Sequence, residues 1–367
     1  MSSKFKHLVG LRGIASFVVM MAHMQMLWSV AVSRGGVFDE NNAVWEVYNT
    51  IFNGNFSVCI FFVLSGYVVL LGFYNKKDSK YLISSAIKRY FRLTPVPLAA
   101  VVIAWTVYST VGFHNKEASQ LMGGIAWFSN PYSFHLELPS ALYQGLVGIY
   151  HGEFNFDGAL WTIQIELFGS IALFIITYFI WDKGYFVFAN LLLSLMAIIL
   201  LGNYGLYFCL FLVGGSFCRK TSFNLNPCWA FLGLALGIQN DGWTITALMQ
   251  QYLPSNITAS VLCHVLGAII IFYSINSSKK LMDFLSSKPF SFLGDISFSL
   301  YAIHLIVLFS AGSYVFVILH PIIGANVSAF IAMFTTIIST IFISVLMTET
   351  IDHYSQRLAN KVGSMVY

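Results

Sequence analysis

Charge is what this sequence has least of. Only 9% of its 367 residues are Asp, Glu, Lys or Arg, against about 25% in soluble domains. Hydrophobic residues make up 57%. That balance excludes a water-facing globule and predicts an all-α polytopic membrane protein. The five cysteines (Cys59, Cys209, Cys218, Cys228 and Cys263) contain no CxxC pair. Most sit in apolar runs and read as small buried hydrophobes, so neither a disulfide framework nor a metal site is expected. No internal repeat, low-complexity linker or soluble appendage is visible. Residues 1–367 read as one integral-membrane domain, with a bundle over 9–349 and a short tail at 350–367. The net charge of +4 is scattered over short loops and does not point to nucleic acid as a partner.

Apolar runs of about 20 residues can cross a bilayer. Ten candidates stand out: 9–31, 54–74, 94–112, 159–181, 185–202, 204–218, 227–239, 257–275, 290–311 and 327–349. The sixth and seventh are short. Residues 1–33 resemble a signal peptide in outline. Their apolar run is too long for one and carries Arg12 and His23, so it reads as a retained span. With a cytoplasmic N-terminus and strict alternation, every basic residue except Arg34 and Lys116 falls inside. This positive-inside partition predicts about ten transmembrane helices with both termini cytoplasmic. The largest outside loop, 113–158, is aromatic, with Trp127, Tyr132, Phe134, Tyr143, Tyr150, Phe154 and Phe156. Interfacial anchoring is the favoured reading of these rings; stacking on sugars is the alternative. Within that loop, 138–150 is apolar but too short to cross, and reads as an interfacial or re-entrant piece.

Ionisable residues inside spans are functional candidates. Arg12 and His23 are eleven positions apart, three helical turns plus about 20°, so they share one face about 16 Å apart. Arg12 lies at the inner end. His23 lies roughly 20 Å in, about 10 Å from the outer face. A desolvated imidazole stays neutral and can serve as a general base on a hydroxyl. A structural hydrogen bond between helices is the plain alternative. Glu166 and His304 reach a similar depth, with Tyr301 one turn before His304. His23, Glu166 and His304 are therefore expected to cluster, with Glu166 orienting an imidazole. A protonated Glu166 and a structural Tyr301–His304 pair are the corresponding plain readings. His264 is read as structural. In AIKRYFRLTPVP, 86–97, Arg89 and Arg92 suit a polyphosphate, or else anchor the inner interface. The small pair Ser65–Gly66 admits a ligand or, more simply, a neighbouring helix.

Taken together, these segments resemble the membrane-bound acyltransferase-3 family. The carriers are Arg12–ten residues–His23, FFVLSGY at 61–67, RYFRLTP at 89–95, LWTIQIE at 160–166 and SFSLYAIH at 297–304. The resemblance covers most of the chain. It implies an O-acyltransferase, most often an O-acetyltransferase, that moves an acyl group from cytoplasmic acetyl-CoA (acyl-CoA). The acceptor is a hydroxyl of an envelope glycan such as O-antigen lipopolysaccharide, capsule or exopolysaccharide. By resemblance His23 is catalytic with Arg12 its partner, Arg89 and Arg92 sit where the donor is held, and Glu166 and Tyr301 lie in motifs tied to activity. Ser65 and His304 complete the expected donor and substrate contacts. The implied location is the bacterial inner (plasma) membrane, with a lipid-linked or surface glycan outside. No permanently bound cofactor or metal is expected. The alternatives are a small-molecule acceptor, macrolide-like or lipid, or a transporter or flippase.

Overall fold

The computed structural model describes residues 5–219 and 224–365. Among them there is no strand. Six helical stretches are long and apolar enough to cross a membrane, and a seventh exists if the bent pair Lys6–His23 and Gln25–Val32 counts as one span. The ten expected spans are therefore not all of spanning length. Phe186–Leu201 has 16 residues, Asn203–Phe217 has 15 and Trp229–Gly237 only nine, short of the roughly 20 needed. Gly202, at φ +56°, breaks what would otherwise be one long helix into the first two. Residues 138–150 form a short helix, Leu138–Leu146, and one 3-10 turn, as a non-crossing piece would. The five cysteines are free.

Membrane helices gain no hydrophobic drive from facing each other, so close crossings rely on small residues. The first helix, Lys6–His23, packs along Lys288–Val307 in this way. A methyl group at Gly13 would lie 2.4 Å from the Gly294 nitrogen, and one at Gly294 would lie 2.1 Å from the Val9 oxygen. The two backbones touch because neither position has a side chain. This contact brings the Gly294 carbonyl to Arg12, whose Nη2 donates to it at 2.9 Å. Gly66 does the same service elsewhere, since a methyl there would lie 2.2 Å from the Phe211 oxygen. The helix-packing reading of the Ser65–Gly66 pair thus holds for Gly66.

The first span bends by 56° just after His23. Two side chains take over helix carbonyls there. His23 Nδ1 lies 2.9 Å from the Val19 oxygen, and the Tyr48 hydroxyl donates to the Met21 oxygen at 2.6 Å. The Met24 N–H meanwhile reaches Met21, three residues back. Side chains inserted into the ladder are a standard cause of kinks.

Bulk at the Gly13 crossing must separate the helices. Gly13→Leu is expected to lower stability by about 1–3 kcal/mol, read as a lower melting temperature in detergent. The same substitution at Gly184, whose Cβ position has nothing within 4 Å, should leave melting nearly unchanged.

Candidate active site

Two polar centres occupy opposite ends of that helix pair. At one end the Lys6–His23 helix stops and the ring of His23 meets that of His304, with centroids 4.9 Å apart. His304 Nδ1 lies 2.7 Å from the Tyr301 carbonyl oxygen, and His23 Nδ1 lies 2.9 Å from that of Val19. A carbonyl can only accept, so each Nδ1 carries its ring's proton. The neutral His304 then presents its Nε2 lone pair to His23 Nδ1, 3.1 Å away. The consequence is specific: His23 keeps a free lone pair on Nε2. Against its ring, nearly parallel at 16° and 5.8 Å between centroids, stacks the indole of Trp127. Trp127 is 42% exposed and rests on Phe128 and Phe309. The segment that follows it is held by Asn115, whose Nδ2 donates to the carbonyl oxygens of Phe128 and Pro131.

At the other end Arg12, Arg89 and Arg92 converge on a cavity of about 160 Å³, also lined by Ser65, Glu166 and Tyr301. Glu166 accepts from Ser65 Oγ at 2.6 Å and from Arg89 Nη2 at 2.5 Å. Arg92 pairs with Asp352 and also donates to Ser355 Oγ at 2.9 Å. Among the described residues Arg12 has no ion-pair partner and donates instead to the Gly294 carbonyl. The Nε of Arg12 and of Arg89 are buried without a partner, donors of the kind that take phosphate oxygens.

Several expectations need correction. Glu166 does not join the histidines; it sits with Arg89 and Ser65. Helical rise put it level with the histidines, but it joins the opposite end of the helix pair, where Arg89 of the helix Ser79–Leu93 pairs with it. His304 takes the orienting place instead. Arg89 and Arg92 do not line the surface: their side chains are only 17% and 24% exposed. The loop aromatics also divide. Tyr132, Tyr150 and Phe156 are internal struts and not interfacial anchors; Tyr132 stacks on Phe113 at 3.5 Å and donates to the Phe156 oxygen. Tyr301 bridges the two centres. It lines the arginine cavity, lies 5.8 Å from the His304 ring, and donates to the Ala159 oxygen at 2.9 Å while accepting from Thr162. His264 is structural, held by Asn55 and the Gln239 oxygen.

Three residues were missed: Trp127, Asp352 and Asp157. Asp352 had a faint signal, as an acid at the end of an apolar run that needs a cation. It lies at the close of a five-residue π turn, Thr348–Asp352, and such turns often re-aim a functional side chain. Asp157 caps the turn before Trp161–Ile180 by accepting from the Ala159 N–H, while its Oδ2 is buried without a partner. Burial pushes its carboxyl up to about 8. Because the folded value is raised, the fold favours the protonated form. Stability is then fully present below about pH 4 and is lost as pH rises towards about 8. Melting temperature should fall over that window, and Asp157→Asn should flatten the fall in a detergent melting series.

Residues 6–349 match a family model described as an acyltransferase domain. No curated protein and no solved structure matches the chain significantly. The match spans both histidines, the three arginines and Glu166, with Asp352 and Ser355 beyond its end, and the chain belongs to the membrane-bound acyltransferase-3 family.

Proposed function

We propose that this membrane acyltransferase moves an acyl group, acetyl in the first instance, from cytoplasmic acyl-CoA to a hydroxyl of an envelope glycan in the bacterial inner membrane. The observation that carries the reading is the pairing of an anion-ready cavity at one end of a helix with an imidazole bearing a free Nε2 at the other. Arg12 and His23 are about 16 Å apart along the axis. Phosphates held at the arginines would leave the pantetheine arm to run past Tyr301 towards His23. The N-terminal, lysine-bearing end then faces the cytoplasm, as the positive-inside partition of the sequence favours.

In this mechanism His23 Nε2 takes the proton of the acceptor hydroxyl as its oxygen attacks the thioester carbonyl. The tetrahedral oxyanion collapses, the C–S bond breaks, and the CoA thiolate leaves with the proton returned from Nε2. His304 is a positioning residue: its Nε2 accepts from His23 Nδ1 and so fixes the reactive tautomer and steadies the imidazolium. Glu166 holds Arg89 in place for the donor and does not touch the imidazole. Ser65 in turn holds Glu166. Trp127 covers one face of His23 and keeps water from competing with the acceptor.

Mass spectrometry of surface polysaccharide from isogenic cells tests the proposal. Cells with the intact protein should carry added acetyl mass, and His23→Ala should reduce it about 10²–10⁴-fold. His304→Ala should lower turnover while leaving the donor KM close to unchanged. Equal polysaccharide masses in all strains, with the protein present in the membrane, would exclude the glycan acceptor. Trp127→Ala is expected to raise CoA release without acceptor, whereas Trp127→Phe should retain the low rate. Acceptor-free hydrolysis equal in both variants and the parent would remove the shielding role.

A further inference from the structure

We propose that the cleft beside the bend of the first span is a subsite for the acceptor, and that it selects uncharged or amino-bearing sugars over acidic ones. The inference rests on the acceptor reading above and names the acceptor's chemical class. The cleft measures about 610 Å³, within the span of roughly 300–1,000 Å³ usual for ligand sites. Ala22 and Gln25, which flank His23 in sequence, are among its lining residues. A chain lying in the cleft would therefore run alongside the turn that carries the imidazole. One wall comes from the helix Ala43–Ile51, with Trp45, Glu46 and Asn49; the other is Asn240, Asp241 and Trp243.

That lining is unlike a lipid groove. Amides and carboxylates pair with hydroxyls as donors and acceptors, and indoles offer a flat apolar face with one polar edge. Trp45 and Trp243 both line the cleft. The charge is one-sided. Glu40, Glu46 and Asp241 line the cleft, and no lysine, arginine or histidine does. None of the three acids is in an ion pair among the described residues. Nor do three His, Cys, Asp or Glu converge to hold a metal ion among them. The carboxylates are thus left to act on the ligand, repelling a uronate or phosphate and attracting an ammonium. The arginine cavity at the opposite end has the reverse sign, so an anionic donor and a non-anionic acceptor are sorted by charge before they meet.

Equilibrium dialysis tests the subsite on the full chain in detergent micelles at low salt. The probes are three reducing-end-labelled hexasaccharides: N-acetylchitohexaose, the chitosan hexamer and hexagalacturonate. The first two are expected to bind at least about tenfold more tightly than the third. The double variant Glu46→Lys, Asp241→Lys, altered only at exposed positions, should close or invert that gap. Trp243→Ala should weaken all binding, with melting temperature as the control for folding. Hexagalacturonate bound as tightly as the others, a gap that the lysines leave in place, or no binding of any probe would overturn the subsite. Donor and chemistry are absent from this experiment. Binding as expected in a protein that nevertheless transfers no acyl group would fault the transfer reading, and normal transfer without this selectivity would fault the subsite.

Discussion

The backbone contact between Gly13 and Gly294 sets up the rest of the molecule. It locks Lys6–His23 against Lys288–Val307 with no side chain between them. Both polar centres are hung on that pair. At one end Arg12 reaches the Gly294 carbonyl; at the other His23 meets His304. One helix pair thus fixes the distance between the arginine cavity and the paired imidazoles. Two sites held on separate, independently moving helices would not keep that spacing. The proposed transfer, with a long donor held at one end and its thioester at the other, depends on that spacing.

Each centre is also built to stay polar inside an apolar bundle. The guanidiniums of Arg89 and Arg92 are paired with Glu166 and Asp352, which offsets part of the cost of burying them. Two Nε donors are still left unpaired. The histidines solve the same problem without charge. Carbonyls of Val19 and Tyr301 hold one proton on each ring, and a single hydrogen bond joins the rings. The arrangement leaves one basic nitrogen uncommitted, which is what a general base requires.

Much of this was legible in the residues themselves. The depth of His23 and His304 followed from helical rise along two apolar runs, and their meeting confirms the expectation for that pair. Arg12 belonged with the inner arginines for the same reason. Partner choice was not legible. Counting along the runs put Glu166 level with His304, yet the carboxylate pairs with Arg89 of Ser79–Leu93 at the arginine end. Trp127 was hidden among seven loop aromatics, since loop geometry has no period to read. Span number is borne out only in part, because Phe186–Leu201 and Asn203–Phe217 are apolar helices shorter than the length a span needs. Composition reports the solvent a segment prefers, whereas crossing also needs length.

In the proposed reaction donor and acceptor approach opposite ends of one helix pair. Its most direct test is sidedness in proteoliposomes of uniform orientation, with labelled acetyl-CoA supplied on one face and a glycan acceptor on the other. Product is expected only when acetyl-CoA is on the face bearing the N-terminus, with free CoA appearing on that same face and the acylated glycan on the opposite one. Equal turnover with both substrates confined to one face would contradict it.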